Sequence, residues 1–250
     1  MQTNFQKYDF EKSLNRIDEI LNSSDNDYKE LDYIPSESQL TYNNGFYVNA
    51  TSLFVDLRDS TKLSQNHRRP VLAKIYRSFI SEVIAIMNGN NRCKYIHIDG
   101  DCVSGVYDTP YKKDVESVLD DAVKINTLIK ILSCKFEKKG YSPIRVGIGM
   151  HYGRLLFIKT GFKGSGLNDI AWMGEALNIS AKLSGLGAKN GISPIVMSEV
   201  VFDNIKEFNE KYNEWFSYNS DYNLNISYYH GNVINIHMNE WYENNCEEGY

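Results

Sequence analysis

No Cys-x-x-Cys pair, no His-Glu-x-x-His and no Gly-x4-Gly-Lys-Ser/Thr occurs anywhere in this chain of 250 residues. The four cysteines, Cys93, Cys102, Cys134 and Cys246, are widely scattered, which argues against both a zinc ribbon and a disulfide framework. They are expected to be reduced. The five histidines, His67, His97, His151, His230 and His237, lack metal-ligand spacing, so a zinc hydrolase has no support. Gly-x-Ser-x-Gly is absent too, and the glycines at 147, 149 and 153 are spaced wrongly for a dinucleotide fingerprint. Positive charge is in deficit: 27 Lys and Arg stand against 32 Asp and Glu, for a net charge of −5. That balance removes the footprint of a general nucleic-acid binder. The longest apolar run, 83–87, falls far short of the roughly 18–20 residues a bilayer-spanning helix needs. No membrane span is therefore expected. The first residues show no basic stretch followed by an apolar one, hence no secretory signal, and the expected location is the cytoplasm.

What is present is the composition of a globular domain, 42% apolar and 24% charged. Phe10, Leu14, Ile17 and Leu21 recur at helical steps, so residues 1–45 read as a helical appendage. From Phe46 the pattern changes. Leu53-Phe54-Val55-Asp56-Leu57 predicts a buried strand closed by an acidic residue and a polar turn, Arg58-Asp59-Ser60-Thr61. A helix is expected over 70–87, with Pro70 in its first turn. Asp99-Gly100 then joins two strands, 95–98 and 102–107, as a hairpin. Val115, Leu119, Ala122, Val123, Asn126 and Ile129 place a second long helix before Gly140 and Pro143. Strands are expected at 144–150 and 155–158, paired across Tyr152-Gly153, then a helix at 175–186 and weaker strands at 194–197 and 226–236. The order β-α-β-β-α-β belongs to an α+β split sheet of ferredoxin-like type with helices packed on one face. Residues 46–240 form the expected main domain and 241–250 a tail.

Few side chains stand out for chemistry. The segment Gly161-Phe162-Lys163-Gly164-Ser165-Gly166 could cradle an anion or simply form a hairpin tip. Asp56 closes one strand and Asp101 borders a turn, and the split sheet can bring them onto neighbouring strands. Two such carboxylates suit Mg²⁺ or Mn²⁺, hard cations that take one or two carboxylates plus substrate phosphates. They equally suit a cap and a turn. Asn178 and Lys182 lie four apart on one helical face, as site residues or as a solvated stripe.

Taken together, four ordered segments resemble the class III nucleotidyl cyclases, and among them the pyrimidine cyclases of bacterial Pycsar antiphage defence. Phe54-Val55-Asp56-Leu57-Arg58-Asp59-Ser60-Thr61 is similar to the family's first metal motif, and Ile98-Asp99-Gly100-Asp101 to its second. Arg145-Val146-Gly147-Ile148 resembles the strand whose Arg binds triphosphate, and the segment from Gly174 through Asn178 to Lys182 resembles the Asn-x-x-x-Arg helix, with Lys for Arg. Two positions depart from the purine cyclases. His97 stands where Lys or Glu is common, and Ala171 where Asp or Cys is common.

The resemblance implies conversion of UTP to 3′,5′-cyclic UMP with release of pyrophosphate, with cyclic CMP from CTP, or an inactive nucleotide sensor, as alternatives. It implies two divalent cations, Mn²⁺ or Mg²⁺, held by Asp56, Asp101 and the Leu57 carbonyl. Asn178, Lys182 and Arg145 would be catalytic, while Phe54, Ser60, Thr61, His97 and Ala171 would line the substrate. It further implies a homodimer with shared sites and a separate effector that reads the cyclic nucleotide.

Overall fold

The computed structural model describes residues 5–247 apart from Ser165 and Leu167. In chain order the elements are α1 (Phe10–Leu21), β1 (Tyr28–Leu31), β2 (Gly45–Leu57), α2 (Ser60–Asn66), α3 (Arg69–Asn88), β3 (Cys93–Asp99), β4 (Cys102–Tyr107), α4 (Lys112–Glu137) and β5 (Val146–Gly161). They continue with β6 (Asn168–Gly174), α5 (Glu175–Leu186), β7 (Ile195–Ser198), α6 (Glu199–Ile205), α7 (Tyr212–Trp215), β8 (Ser217–Asp221), β9 (Ile226–Gly231) and α8 (Ile236–Tyr242). The expected β-α-β-β-α-β order is β2-α3-β3-β4-α4-β5. The central path of the sheet runs β3-β4-β2-β5-β7-β9-β8, with β1 beside β2 and β6 beside β5.

Two long antiparallel strands organise everything else. β2 and β5 pair in one unbroken register from Leu57↔Val146 to Gly45↔Ile158. Each then serves two neighbours along one edge. β2 takes β4 at 51–56 and β1 at 45–48, while β5 takes β7 at 148–150 and β6 at 155–161.

Strand alternation sends opposite chemistry to the two faces. Leu53, Val55 and Leu57 of β2 and Val146, Ile148 and Met150 of β5 enter the main core with Ile75, Phe79, Val83 and Met87 of α3, much of α4, and Val201, Phe202 and Ile205 of α6. The four α3 residues are fully buried, and each contributes roughly 1.5–3 kcal/mol by leaving water. On the other face the same strands present Ser52, Phe54 and Asp56 and Gly147, Gly149 and His151. There α5 lies close: a Cβ built on Gly149 would come within 2.1 Å of the Ser180 carbonyl and 2.2 Å of the Ser184 amide. Glycine is required by proximity. Ser52 donates to the Ala176 carbonyl (2.6 Å) and shares a 2.5 Å hydroxyl contact with Ser180, so polar groups as well as small ones seat this helix.

Three sequence expectations need correction. Tyr152-Gly153 is no hairpin turn, because both residues stay in the extended register opposite Thr51 and Ala50. The 226–236 strand ends at Gly231, and its last residue begins α8. Finally, two of the cysteines are not reduced: Cys134 near the end of α4 is joined to Cys246, with Cα atoms 6.0 Å apart, while Cys93 and Cys102 are free thiols. The α1 stripe forms as expected, yet none of its residues is buried. No helix among the described residues is long and apolar enough to cross a membrane. The candidate anion loop 161–166 includes Ser165, which lies outside the described residues.

Candidate active site

Asp56 is the penultimate residue of β2 and is paired with Cys102, the first residue of β4. Gly100 and Asp101 form the two-residue loop between β3 and β4, with Gly100 at φ +61°. The hairpin therefore delivers Asp101 to the strand end that carries Asp56. The crowding registers on the free thiol between them. Burial first, then the charges of Asp56, Asp101 and Asp99, push Cys102 up to about 12. Both site carboxylates are half-buried, open enough for a ligand to reach.

This donor set fits a hard divalent cation in a particular way. Asp56, Asp101 and the Leu57 carbonyl offer oxygen, and among the described residues no group of three or more His, Cys, Asp or Glu side chains is arranged to hold a metal. The chain does not build an all-protein cage. Mg²⁺ commonly keeps water and takes substrate phosphate beside one or two carboxylates, which is the coordination this site leaves room for.

Next to the carboxylates, α2 begins with Ser60 and Thr61 behind Asp59, whose left-handed backbone (φ 56°) turns the chain out of the sheet. Arg145 stands just before β5, with 65% of its side chain exposed, and donates from Nη2 to Asp59 Oδ2 at 2.7 Å. That bond, with a second from Lys62, holds the Asp59 carboxyl below its usual range. In this state Arg145 is tethered to the α2 turn.

A cleft of about 720 Å³ opens on the α5 side of the sheet. Phe54, His97 and Ala171 all line it, so two positions 74 residues apart in sequence meet at one wall. Tyr95 and Trp172 line it as well, with ring centroids 5.0 Å apart in a stacked pair, and His97 meets Trp172 edge-on at 6.2 Å. Part of the wall is thus aromatic, Asp99, Ser104 and Asp169 add polar lining, and a single imidazole and an Ala methyl stand at the expected base-reading positions.

Asn178 and Lys182 lie on the exposed face of α5, opposite the buried Ala176, Ser180, Leu183 and Ser184. Among the described residues neither has a hydrogen-bonding or ionic partner.

The fold thus brings Asp56, Leu57 and Asp101 together at one strand end, sets Ser60, Thr61 and Arg145 beside them, and gathers Phe54, His97 and Ala171 in the cleft. Sequence reasoning missed Tyr95, although it sits two residues before His97 on one strand and so shares its face. It also missed Arg58, whose buried guanidinium bonds to Asp56. Nothing local marks an Arg in a polar turn as buried.

Comparisons with known proteins agree with this geometry. Residues 43–220 match the adenylate and guanylate cyclase catalytic domain. A uridylate cyclase of Gulbenkiania mobilis is 38% identical over 98% of this chain and 100% of its own length, and one of Treponema porcinum is 37% identical over 94% of this chain and 81% of its own. Among solved structures, the adenylyl cyclase CyaB from P. aeruginosa superposes with a TM-score of 0.63 at 18% identity, over 75% of this chain and 95% of its own. The guanylyl cyclase Cya2 gives 0.63 at 13% identity, over 77% and 95%. With the family's catalytic domain matched over most of the chain and its fold shared with solved cyclases, the protein belongs to the class III nucleotidyl cyclases and is a nucleotidyl cyclase enzyme.

Proposed function

We propose that this cyclase converts UTP to 3′,5′-cyclic UMP and pyrophosphate. The observation that carries the reading is the cleft in which His97 and Ala171 converge between Tyr95 and Trp172. A purine-reading site needs its polar partners, and one that lacks them loses discrimination for that base by orders of magnitude. The names of the two relatives that match most of the chain point the same way.

In the reaction the ribose 3′-oxygen bonds to the α-phosphorus, the bond from that phosphorus to the bridging oxygen breaks, pyrophosphate leaves, and the 3′-hydroxyl proton passes to solvent. Divalent cations, Mg²⁺ or Mn²⁺, when bound would make the 3′-hydroxyl more acidic and neutralise phosphate charge. Asp56, Asp101 and the Leu57 carbonyl would hold them. Asn178 would orient the ribose, and Lys182 would offset charge developing on the transferred phosphate. Arg145, once released from Asp59, would bind the leaving phosphates beside Ser60 and Thr61. Phe54, His97 and Ala171 would bound the base.

The active form in this reading is a homodimer in which one protomer supplies the carboxylates and its partner supplies Asn178 and Lys182. The unpartnered state of those two side chains supports it. Residues 46–240 are the catalytic domain in this reading, with 1–45 before it lending β1 to its sheet and 241–250 after it tied to α4 through Cys246. A separate effector reads the cyclic nucleotide in antiphage defence, as the likeness to Pycsar cyclases implies.

Incubation with each of the four ribonucleoside triphosphates and Mn²⁺ tests base choice, with UTP expected to turn over fastest. CTP as best substrate would make this a cytidylate cyclase, and ATP or GTP would overturn the pyrimidine reading. Mixing Asp56→Ala with Lys182→Ala protein tests the shared site, since one intact site is rebuilt in a mixed dimer. No recovered activity despite labelled subunit exchange would reject it.

A further inference from the structure

Arg58 is the feature that the family reading does not use. Its guanidinium carries charge at every accessible pH, yet the residue is only 6% exposed, so its partners must compensate a large desolvation cost. Three do so. Nε donates to the Gly187 carbonyl at 2.9 Å, Nη2 donates to the Ser184 carbonyl, and Nη1 donates to Asp56 Oδ2 at 2.5 Å. The space for this is kept by Gly147, where a Cβ would stand 1.8 Å from Nη2 and 2.1 Å from the Ser184 oxygen.

The two carbonyls mark the C-terminal end of α5, Ser184 in its last turn, where it also accepts from the Gly187 amide at 3.2 Å, and Gly187 as its C-cap, and helix carbonyls there carry partial negative charge. α5 has no basic residue of its own in its last turn. Arg58 supplies that cation from the end of β2. One side chain is therefore both the counter-ion of Asp56 and the C-terminal anchor of the helix that presents Asn178 and Lys182.

We propose that Arg58 is a positioning residue that couples cation occupancy at Asp56 to the seat of α5. The inference rests on the reading of Asp56 as a cation ligand. A cation at Asp56 draws on the same carboxylate that Arg58 holds, so cation binding redistributes the guanidinium between Asp56 and the α5 carbonyls. In the shared-site dimer α5 serves the neighbouring site, and Arg58 then links one site's cation to the other site's ribose and phosphate contacts.

Nucleotide-free protein titrated with Mn²⁺ provides the test, with free Mn²⁺ followed by electron paramagnetic resonance and amide exchange followed at residues 183–188. In the wild type, Mn²⁺ should change exchange there by about 3-fold or more. Arg58→Met should bind Mn²⁺ more tightly, by about 3- to 10-fold, because a competing positive charge is gone, while the exchange response at 183–188 disappears and kcat falls. A merely structural role would weaken metal binding and turnover together. Arg58→Lys, a point charge that keeps the ion pair but not the fork, should retain part of the response. Should Arg58→Met fail to fold, Arg58→Lys and the wild type still decide: no Mn²⁺-dependent change at 183–188 in the wild type overturns the proposal. An unchanged response in either folded variant overturns it as well. Asp56→Asn separates the two layers of the argument. If it binds Mn²⁺ like the wild type, the cation reading of Asp56 fails and this inference with it, whereas Asp56-dependent binding that is indifferent to Arg58 rejects the coupling alone.

Discussion

The two faces of the sheet are built from alternate residues of the same strands and differ most at the strand ends that carry the carboxylates. Toward α3, α4 and α6 the side chains are large, apolar and buried to completion, as at Leu53, Val55, Ile148 and Met150. Toward α5, near the strand ends, they are absent, small or polar, as at Gly147, Gly149, Ser52 and Asp56, where carbonyls, hydroxyls and one buried guanidinium meet the helix, while farther along the same face Val48, Ala50, Leu155 and Phe157 cluster with Ala176, and Leu183 packs with Val196 and Tyr228. The first face supplies stability through area removed from water. The second gives up that area around the strand ends, so that backbone and charged groups can approach the place where the carboxylates stand. The lesson is that a packed face can support a reactive one a single peptide unit away.

Substitution of the carboxylates should separate the faces most sharply. Asp56→Ala or Asp101→Ala should lower the rate of cyclic nucleotide formation by about 10³-fold, the order expected for losing a preorganised electrostatic group. The melting temperature of Asp101→Ala should move by only a few degrees, whereas Asp56→Ala also leaves the buried Arg58 guanidinium without its counter-ion and should melt lower. Retained activity in either variant would remove that residue from the site.

The packed face also buries a few polar side chains of α4, and Asp121 is one of them. Asp121 of α4 is 2% exposed, and burial, opposed by the Asn90 amide and Lys124, pushes its carboxyl up to about 6. The folded state therefore keeps a proton that the unfolded chain loses near the ordinary carboxylate value. Stability from this group is present below about pH 4 and is lost as pH rises through 6, amounting to roughly 3 kcal/mol at most. Asp121→Asn should be more stable than the wild type at pH 7–8, with the difference shrinking toward pH 4 in urea titrations. A constant difference across that range would contradict the assignment.

Gly149→Ala adds one methyl to the reactive face against α5 backbone that cannot rotate away. Overpacking of this kind costs about 1–3 kcal/mol, and turnover should fall as well, since Asn178 and Lys182 ride on the displaced helix. Its counterpart one residue earlier, Ile148→Val on the packed face, should cost about 0.5–1.5 kcal/mol in chemical denaturation and leave UTP turnover near wild type. If both variants lose activity equally, the division between the faces is less sharp than the packing indicates.

Much of the fold was legible because it is encoded locally. The α3 and α5 boundaries follow from apolar spacing, and the β3–β4 hairpin follows from Asp99-Gly100. Tyr152-Gly153 misled because a glycine in a strand has the same local appearance as a turn, and only continuous pairing with β2 keeps it extended. The Cys134–Cys246 bridge joins residues 112 positions apart, so no spacing rule could reach it.

Of the site, the sequence by itself determined which residue types were available: two carboxylates after apolar segments, an Asn and a Lys four apart on a helix, and a His and an Ala where purine cyclases commonly carry polar pairs. Those are properties of local order, and motifs record local order. Only the tertiary structure decided that His97 and Ala171 share one aromatic cleft and that Arg145 is held by Asp59. It also decided that Arg58 is buried between Asp56 and the end of α5. Burial and partnership are set by strand register and helix seating across distant segments, and a charged residue in a polar turn looks the same in sequence whether it ends in water or beneath a helix.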